Sequence, residues 1–264
     1  MEVPSSENRK SLVFLYECFG TMLFVYSIML TGNPISISFS LFASILLFGS
    51  ITGGHFNPAV TLAVYIKEAK WSENLSWLGL VILAQVCGGF LAQGLTEITL
   101  FDKTLGNIPA ANVAKICPLS LSNAAVCDGF ADGEFTLDAQ VLVNEMILTA
   151  VFVSVILMVK GLRTSPSADG MAGALAIVLT LLACIKTGGK LGGCFNPAVG
   201  LSVCSFSLFH LENVNGSLGH YMYAFIVGPL LGGALAGGFS LMHSKNFEPK
   251  AVGGADGEPV VESK

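Results

Sequence analysis

Charge is what this sequence has least of. Only 12% of its 264 residues are Asp, Glu, Lys or Arg, while 53% are hydrophobic. An ordinary soluble domain carries about 25% charged residues, so a soluble enzyme is a distant second reading to a membrane protein. No basic run and no interleaving of basic with aromatic residues is present, which removes the usual footprint of a nucleic-acid partner. The seven Cys have no regular spacing and form no Cys-x-x-Cys pair. Cys18, Cys87, Cys184 and Cys204 lie inside apolar runs, where Cys behaves as a small hydrophobe. No nucleophile–base pair, metal-ligand cluster or phosphate-binding loop stands out, so the expectation is no enzyme, no cofactor and no metal. A cleavable signal peptide is not expected either, because the first apolar run is too long and lacks a small-residue cleavage site.

What the chain has instead is long apolar stretches. A spanning helix needs about 20 apolar residues, and six runs qualify: Ser11–Leu30, Ile35–Ile51, Trp77–Ile98, Ala139–Lys160, Met171–Lys186 and Gly219–Met242. Two shorter segments, Pro58–Ile66 and Pro197–Phe209, follow the second and fifth runs. At about 1.5 Å per residue each covers about half of a 30 Å hydrocarbon core, so they are re-entrant or interfacial. The reading is a polar N-terminal tail over residues 1–10, a membrane domain over 11–242 and a polar C-terminal tail over 243–264. Within the domain, repeats over about 11–98 and 139–242 are joined by a loop over about 99–138.

Lys and Arg set the orientation. With the N-terminus inside, the cytoplasmic set is Arg9, Lys10, Lys67, Lys70, Lys160, Arg163, Lys245, Lys250 and Lys264, against Lys103, Lys115, Lys186 and Lys190 outside. Both termini are therefore expected in the cytoplasm, with the 99–138 loop outside. Cys117 and Cys127 share that loop and are candidates for a disulfide, their location being the only ground. Asn215-Gly-Ser217 is a glycosylation sequon on the expected outer face.

The chain repeats itself in order. Glu17-x-x-x-Thr21-x-x-Phe24 is matched by Glu145-x-x-x-Thr149-x-x-Phe152, GGHFNPAV (53–60) by GGCFNPAV (192–199), and Gly88-Gly89-x-Leu91-Ala92 by Gly232-Gly233-x-Leu235-Ala236. Three spanning helices per repeat is odd, so the halves run in opposite directions. Inverted repeats of this kind place a shared site near the bilayer midplane.

The Asn-Pro-Ala boxes suit a chain that turns inside a membrane. Asn57 and Asn196 are good N-cap residues. Pro58 and Pro197 fall at the first helical position, where a missing N–H is harmless. Ala59 and Ala198 let two helix ends abut. Each half-helix then points a positive end, roughly half an elementary charge, at the midplane, which repels cations. Free Asn amide N–H groups there donate to a passing oxygen and leave it poorly placed to relay a proton.

On these residues, with Glu17-x-x-Gly20-Thr21, Ala84-Gln85 and Gly228-Pro229-x-x-Gly232-Gly233, the sequence resembles the aquaporin, or major intrinsic protein, family over nearly all of 11–242. The resemblance implies an all-α membrane protein: six transmembrane helices and two re-entrant half-helices in an inverted 3+3 repeat, forming a right-handed bundle. It also implies one pore per subunit and a homotetramer. Family members have an outer constriction of four positions. Counting from the boxes without gaps puts these at Ile37, near Cys184, at Gly193 and at Val199. Most members carry Arg at the last position, and glycerol-conducting members usually follow it with Asp. Here Val199 is followed by Gly200. The expectation is an apolar, wider filter passing small neutral solutes such as glycerol or urea, beside water. Lys186 or Lys190 in the outer loop is either a substitute cation or a solvated lysine.

Glu17 and Glu145 are ionisable groups in membrane helices and usually functional there. Their symmetric placement favours support of the loops that carry the boxes over an ion relay. His55, two before Asn57, is expected to line the cytoplasmic vestibule, with a pH gate as the sharper alternative; Cys194, two before Asn196, is either packed or reachable by thiol reagents. Gly88/Gly89 and Gly232/Gly233 read as close helix contacts. The competing functions are a poorly conducting junctional member and, more remotely, a secondary transporter. The plasma membrane ranks ahead of an internal or vacuolar one on base rates alone.

Overall fold

A computed structural model describes residues 6–100, 135–161, 164–188, 191–210, 217–247, 252–253 and 259–260. Cys117 and Cys127, the Asn215 sequon, Lys190 and most of the 99–138 linker lie outside the described residues. Eight helices are described: α1 (Ser6–Thr31), α2 (Pro34–Thr52), α3 (Pro58–Glu68), α4 (Leu75–Leu100), α5 (Phe135–Val159), α6 (Gly170–Gly188), α7 (Pro197–His210) and α8 (Ser217–Phe247). Six of them contain stretches long and apolar enough to cross a membrane. The half-helices α3 and α7, with 11 and 14 residues, extend about 16 and 21 Å at 1.5 Å per residue. α8 runs five residues past the apolar boundary at Met242, into the stretch read as a tail. Beyond it, β1 (Val252–Gly253) and β2 (Pro259–Val260) form an antiparallel two-residue ladder.

Helix ends follow local chemistry. The Asn33 side chain caps α2 by accepting from the Ile35 and Ser36 N–H groups, with Pro34 at the first helical position. α2 ends at Gly53, whose φ of 91° is the left-handed conformation that terminates helices.

Packing repeats with the sequence. α1 packs on α2 and α4, and α5 packs on α6 and α8. The halves are then interlocked: α2 meets α6, α3 lies against α8, and α7 lies against α4. The glycine pairs explain the close fits. A side chain at Gly88 would collide with the Cys18 carbonyl of α1, and one at Gly232 with the Met146 carbonyl of α5. Their neighbours Gly89 and Gly233 face the first turns of α7 and α3. Each spanning helix also turns large apolar side chains outward: Phe19, Leu47, Leu83, Ile147, Leu179 and Leu235 are all exposed. Water does not favour such a surface, and lipid does.

Candidate functional site

The two segments before the half-helices share left-handed backbone at two paired positions and differ at a third, Gly54, whose φ of 59° has no counterpart at Gly193. Gly53 and Gly192 have φ of 91° and 96°, and Phe56 and Phe195 have φ of 47° and 53°. A left-handed phenylalanine costs about 1–3 kcal/mol and persists only where its surroundings hold it. Each is held from both sides. The Phe56 N–H donates to Glu17 Oε2 at 2.8 Å, and its carbonyl accepts from Asn196 Nδ2 at 2.8 Å. The Phe195 N–H donates to Glu145 Oε2 at 2.8 Å, and its carbonyl accepts from Asn57 Nδ2 at 2.8 Å. The boxes are thus bonded to each other reciprocally.

Each Asn does two jobs. Asn57 Oδ1 accepts from the Ala59 N–H at 2.8 Å and Asn196 Oδ1 from the Ala198 N–H at 3.0 Å, which caps α3 and α7. The sequence reading left both amide hydrogens of each Asn to a passing molecule. In the structure one is committed to the opposite loop, leaving one per Asn.

The carboxylates sit behind the loops, fully buried. Glu17 accepts from Thr52 Oγ1 at 2.6 Å, the His55 N–H at 3.0 Å, the Phe56 N–H at 2.8 Å and Gln85 Nε2 at 2.8 Å. Glu145 accepts from the Cys194 N–H at 2.9 Å and the Phe195 N–H at 2.8 Å.

A cavity leads from the boxes toward the C-terminal end of α2. Its walls draw on both repeats: Phe24, Leu41 and Ile45 face Phe152, Ile156, Ile177 and Leu181, and the loops contribute 54–57 and 194–196. Lys160 also lines it. His55 sits here, with Nδ1 3.2 Å from Thr61 Oγ1 and its ring edge-on to Trp77. Burial lowers its pKa to about 4; Glu17 opposes the shift and Lys160 adds to it. Ile37, Cys184, Gly193 and Val199 do not line this cavity. Ile37, Cys184 and Val199 are buried. Cys184 Sγ lies 3.7 Å from the Leu148 carbonyl of α5, and the α6 residue that Gly193 faces is Ile185, one position on.

The Major intrinsic protein family model matches residues 5–240. The chain belongs to the major intrinsic protein family. It is 28% identical over 214 residues to "Aquaporin Z" of Photorhabdus laumondii, covering 78% of this chain and 80% of that one. To the "Glycerol uptake facilitator protein" of Pseudomonas aeruginosa it is 26% identical over 225 residues, covering 82% and 77%. In fold it resembles the aquaglyceroporin from Plasmodium falciparum, with a TM-score of 0.68 at 17% identity over 90% of this chain and 96% of that one. With its six apolar helices, this major intrinsic protein is an integral membrane protein.

Several residues matter more in this family member than its sequence suggested. Gln85, quoted with Ala84 only for the family resemblance, links Glu17 to Thr61, with Nε2 2.9 Å from Thr61 Oγ1. Phe24 and Phe152, the last residues of the first paired motif, face each other's repeat across the cavity. Their identical placement in the duplicated motif was the available signal. Lys160 had none beyond its sign.

Proposed function

We propose that this major intrinsic protein is a passive channel for water and small neutral solutes such as glycerol and urea, and that it excludes protons and ions. The reciprocal bonding of Asn57 and Asn196 carries the reading. It sets two half-helix N-termini against each other at the end of a cavity, where their positive ends repel cations. One amide hydrogen per Asn remains to orient a solute oxygen. Ile37, Cys184, Gly193 and Val199 form the proposed outer constriction, with Ile185 beside Gly193. None carries a charge, so the constriction selects by size rather than by a fixed cation. Relatives named for water and for glycerol transport both support this range. The chain works as a homotetramer with one pore per subunit, in the plasma membrane, with both termini cytoplasmic. Glu17, Glu145 and His55 serve the pore by holding and lining the loops, and no catalytic role is assigned. Proteoliposome permeability to water, glycerol and urea at matched protein density tests the proposal. All three are expected to pass above the empty-vesicle rate. Water flow without glycerol or urea flow rejects the broad range, and no flow at all favours the poorly conducting alternative.

A further inference from the structure

The cavity has a charged residue where the outer constriction has none. Lys160 follows the last residue of α5, and its side chain lies in the cavity wall beside Ile156 and His55. It is exposed, and the surface it exposes borders that cavity. Its ammonium donates to the carbonyl of Gly53 at the end of α2. Among the described residues no other one lining the cavity is formally charged, since burial keeps His55 neutral at pH 7.

The second repeat shows that this carbonyl does not need a charge. Gly192 is the counterpart of Gly53, and its carbonyl accepts at 3.1 Å from the neutral Asn144 amide. One loop is anchored by an amide and the other by a cation, and the cation is the one facing a cavity. Glu17 does not line the cavity: that carboxylate lies behind the loop, where it accepts four hydrogen bonds. A fixed charge in a narrow space with low-dielectric walls acts more strongly than in bulk water.

Resting on the channel reading above, we propose that Lys160 is the fixed positive charge of this pore, placed at the mouth by the α2 C-terminus. There it blocks protons and metal cations that the Val199 constriction lets through. The sequence offered Lys186 or Lys190 at the opposite mouth, as either a substitute cation or a solvated lysine. Lys186 is exposed on the last turn of α6 and does not line the cavity.

The test is proton flux into proteoliposomes holding a pH-sensing dye, with water permeability measured on the same vesicles. Lys160→Gln keeps a donor for the Gly53 carbonyl and removes the charge; Lys160→Arg keeps both. Lys160→Gln is expected to raise the ratio of proton flux to water permeability about tenfold, with Lys160→Arg at the wild-type ratio. A Gln variant as proton-tight as wild type reduces the lysine to an anchor and overturns the proposal. A wild type that already leaks protons contradicts the channel reading itself, which keeps the two failures apart.

Discussion

Glu17 and Glu145 hold matching places in the two repeats, but among the described residues the first accepts four hydrogen bonds and the second two. The difference extends around them. Where the first repeat has Gln85, Thr61 and His55 bonded into one polar cluster, the second has Pro229, Gly200 and Cys194. Pro229 has no N–H, so the Phe225 carbonyl one turn earlier in α8 loses its helical donor. Gly200 packs against that carbonyl: a methyl group at Gly200 would lie 2.7 Å from it. Gly200 is therefore a packing requirement in this chain, beyond being a departure from the Asp of glycerol channels. Duplication kept the left-handed Gly53/Gly192 and Phe56/Phe195 pairs, the caps and the cross-links. The bracing diverged, polar behind the first loop and close-packed behind the second.

The contrast breaks most readily at the carboxylates. Glu17→Ala removes the acceptor of four donors, three of them buried, and Glu145→Ala that of two, at about 1–3 kcal/mol for each buried donor left unpaired. Thermal unfolding in detergent should show the larger loss for Glu17→Ala, and equal losses would remove the distinction. The next effect is steric. Gly200→Ala forces a methyl group against the Phe225 backbone and should cost about 1–3 kcal/mol. Thr61→Ala removes hydrogen bonds worth about 1 kcal/mol each. A tolerated Gly200→Ala beside an unfolded Thr61→Ala would reverse the assignment of polar and packed halves. Smaller again is the gap between Gly233→Ala and Gly89→Ala. The first methyl would strike the Ala59 backbone, the second mainly the Ser202 side chain, which can move. Gly233→Ala should melt lower. The smallest effect concerns His55. A histidine whose pKa is lowered to about 4 stays neutral until the pH falls through that value. Water permeability should be flat from about pH 7.5 to 5.5, and an inflection near the ordinary histidine value of about 6.5 would restore the pH-gate reading.

The features legible in the sequence were those with local chemistry. An Asn cap followed by Pro announces a half-helix start, paired glycines announce close contacts, and an order kept twice announces inversion. The carboxylates were legible through their symmetry. What stayed hidden depends on contacts between distant residues. Gln85 reaches Glu17 across 68 residues and Lys160 reaches Gly53 across 107, and neither belongs to a motif that names its partner. The two loops also differ in length. In the cavity, Leu41 and Ile45 correspond to Ile177 and Leu181 at one spacing, while the boxes correspond at a spacing three residues longer. The extra residues lie between α6 and the second box, where Gly193 faces Ile185 beside the counted Cys184.

The central claim is that an uncharged outer constriction, with Val199 next to the second box, lets this channel pass more than water. Its most direct test is the ratio of glycerol to water permeability in proteoliposomes, for wild type and for Val199→Arg at equal protein density. The account predicts measurable glycerol flow in wild type and a ratio lowered about tenfold or more by the arginine, which adds bulk and a strongly hydrated charge at the constriction. A ratio unchanged by Val199→Arg would contradict it.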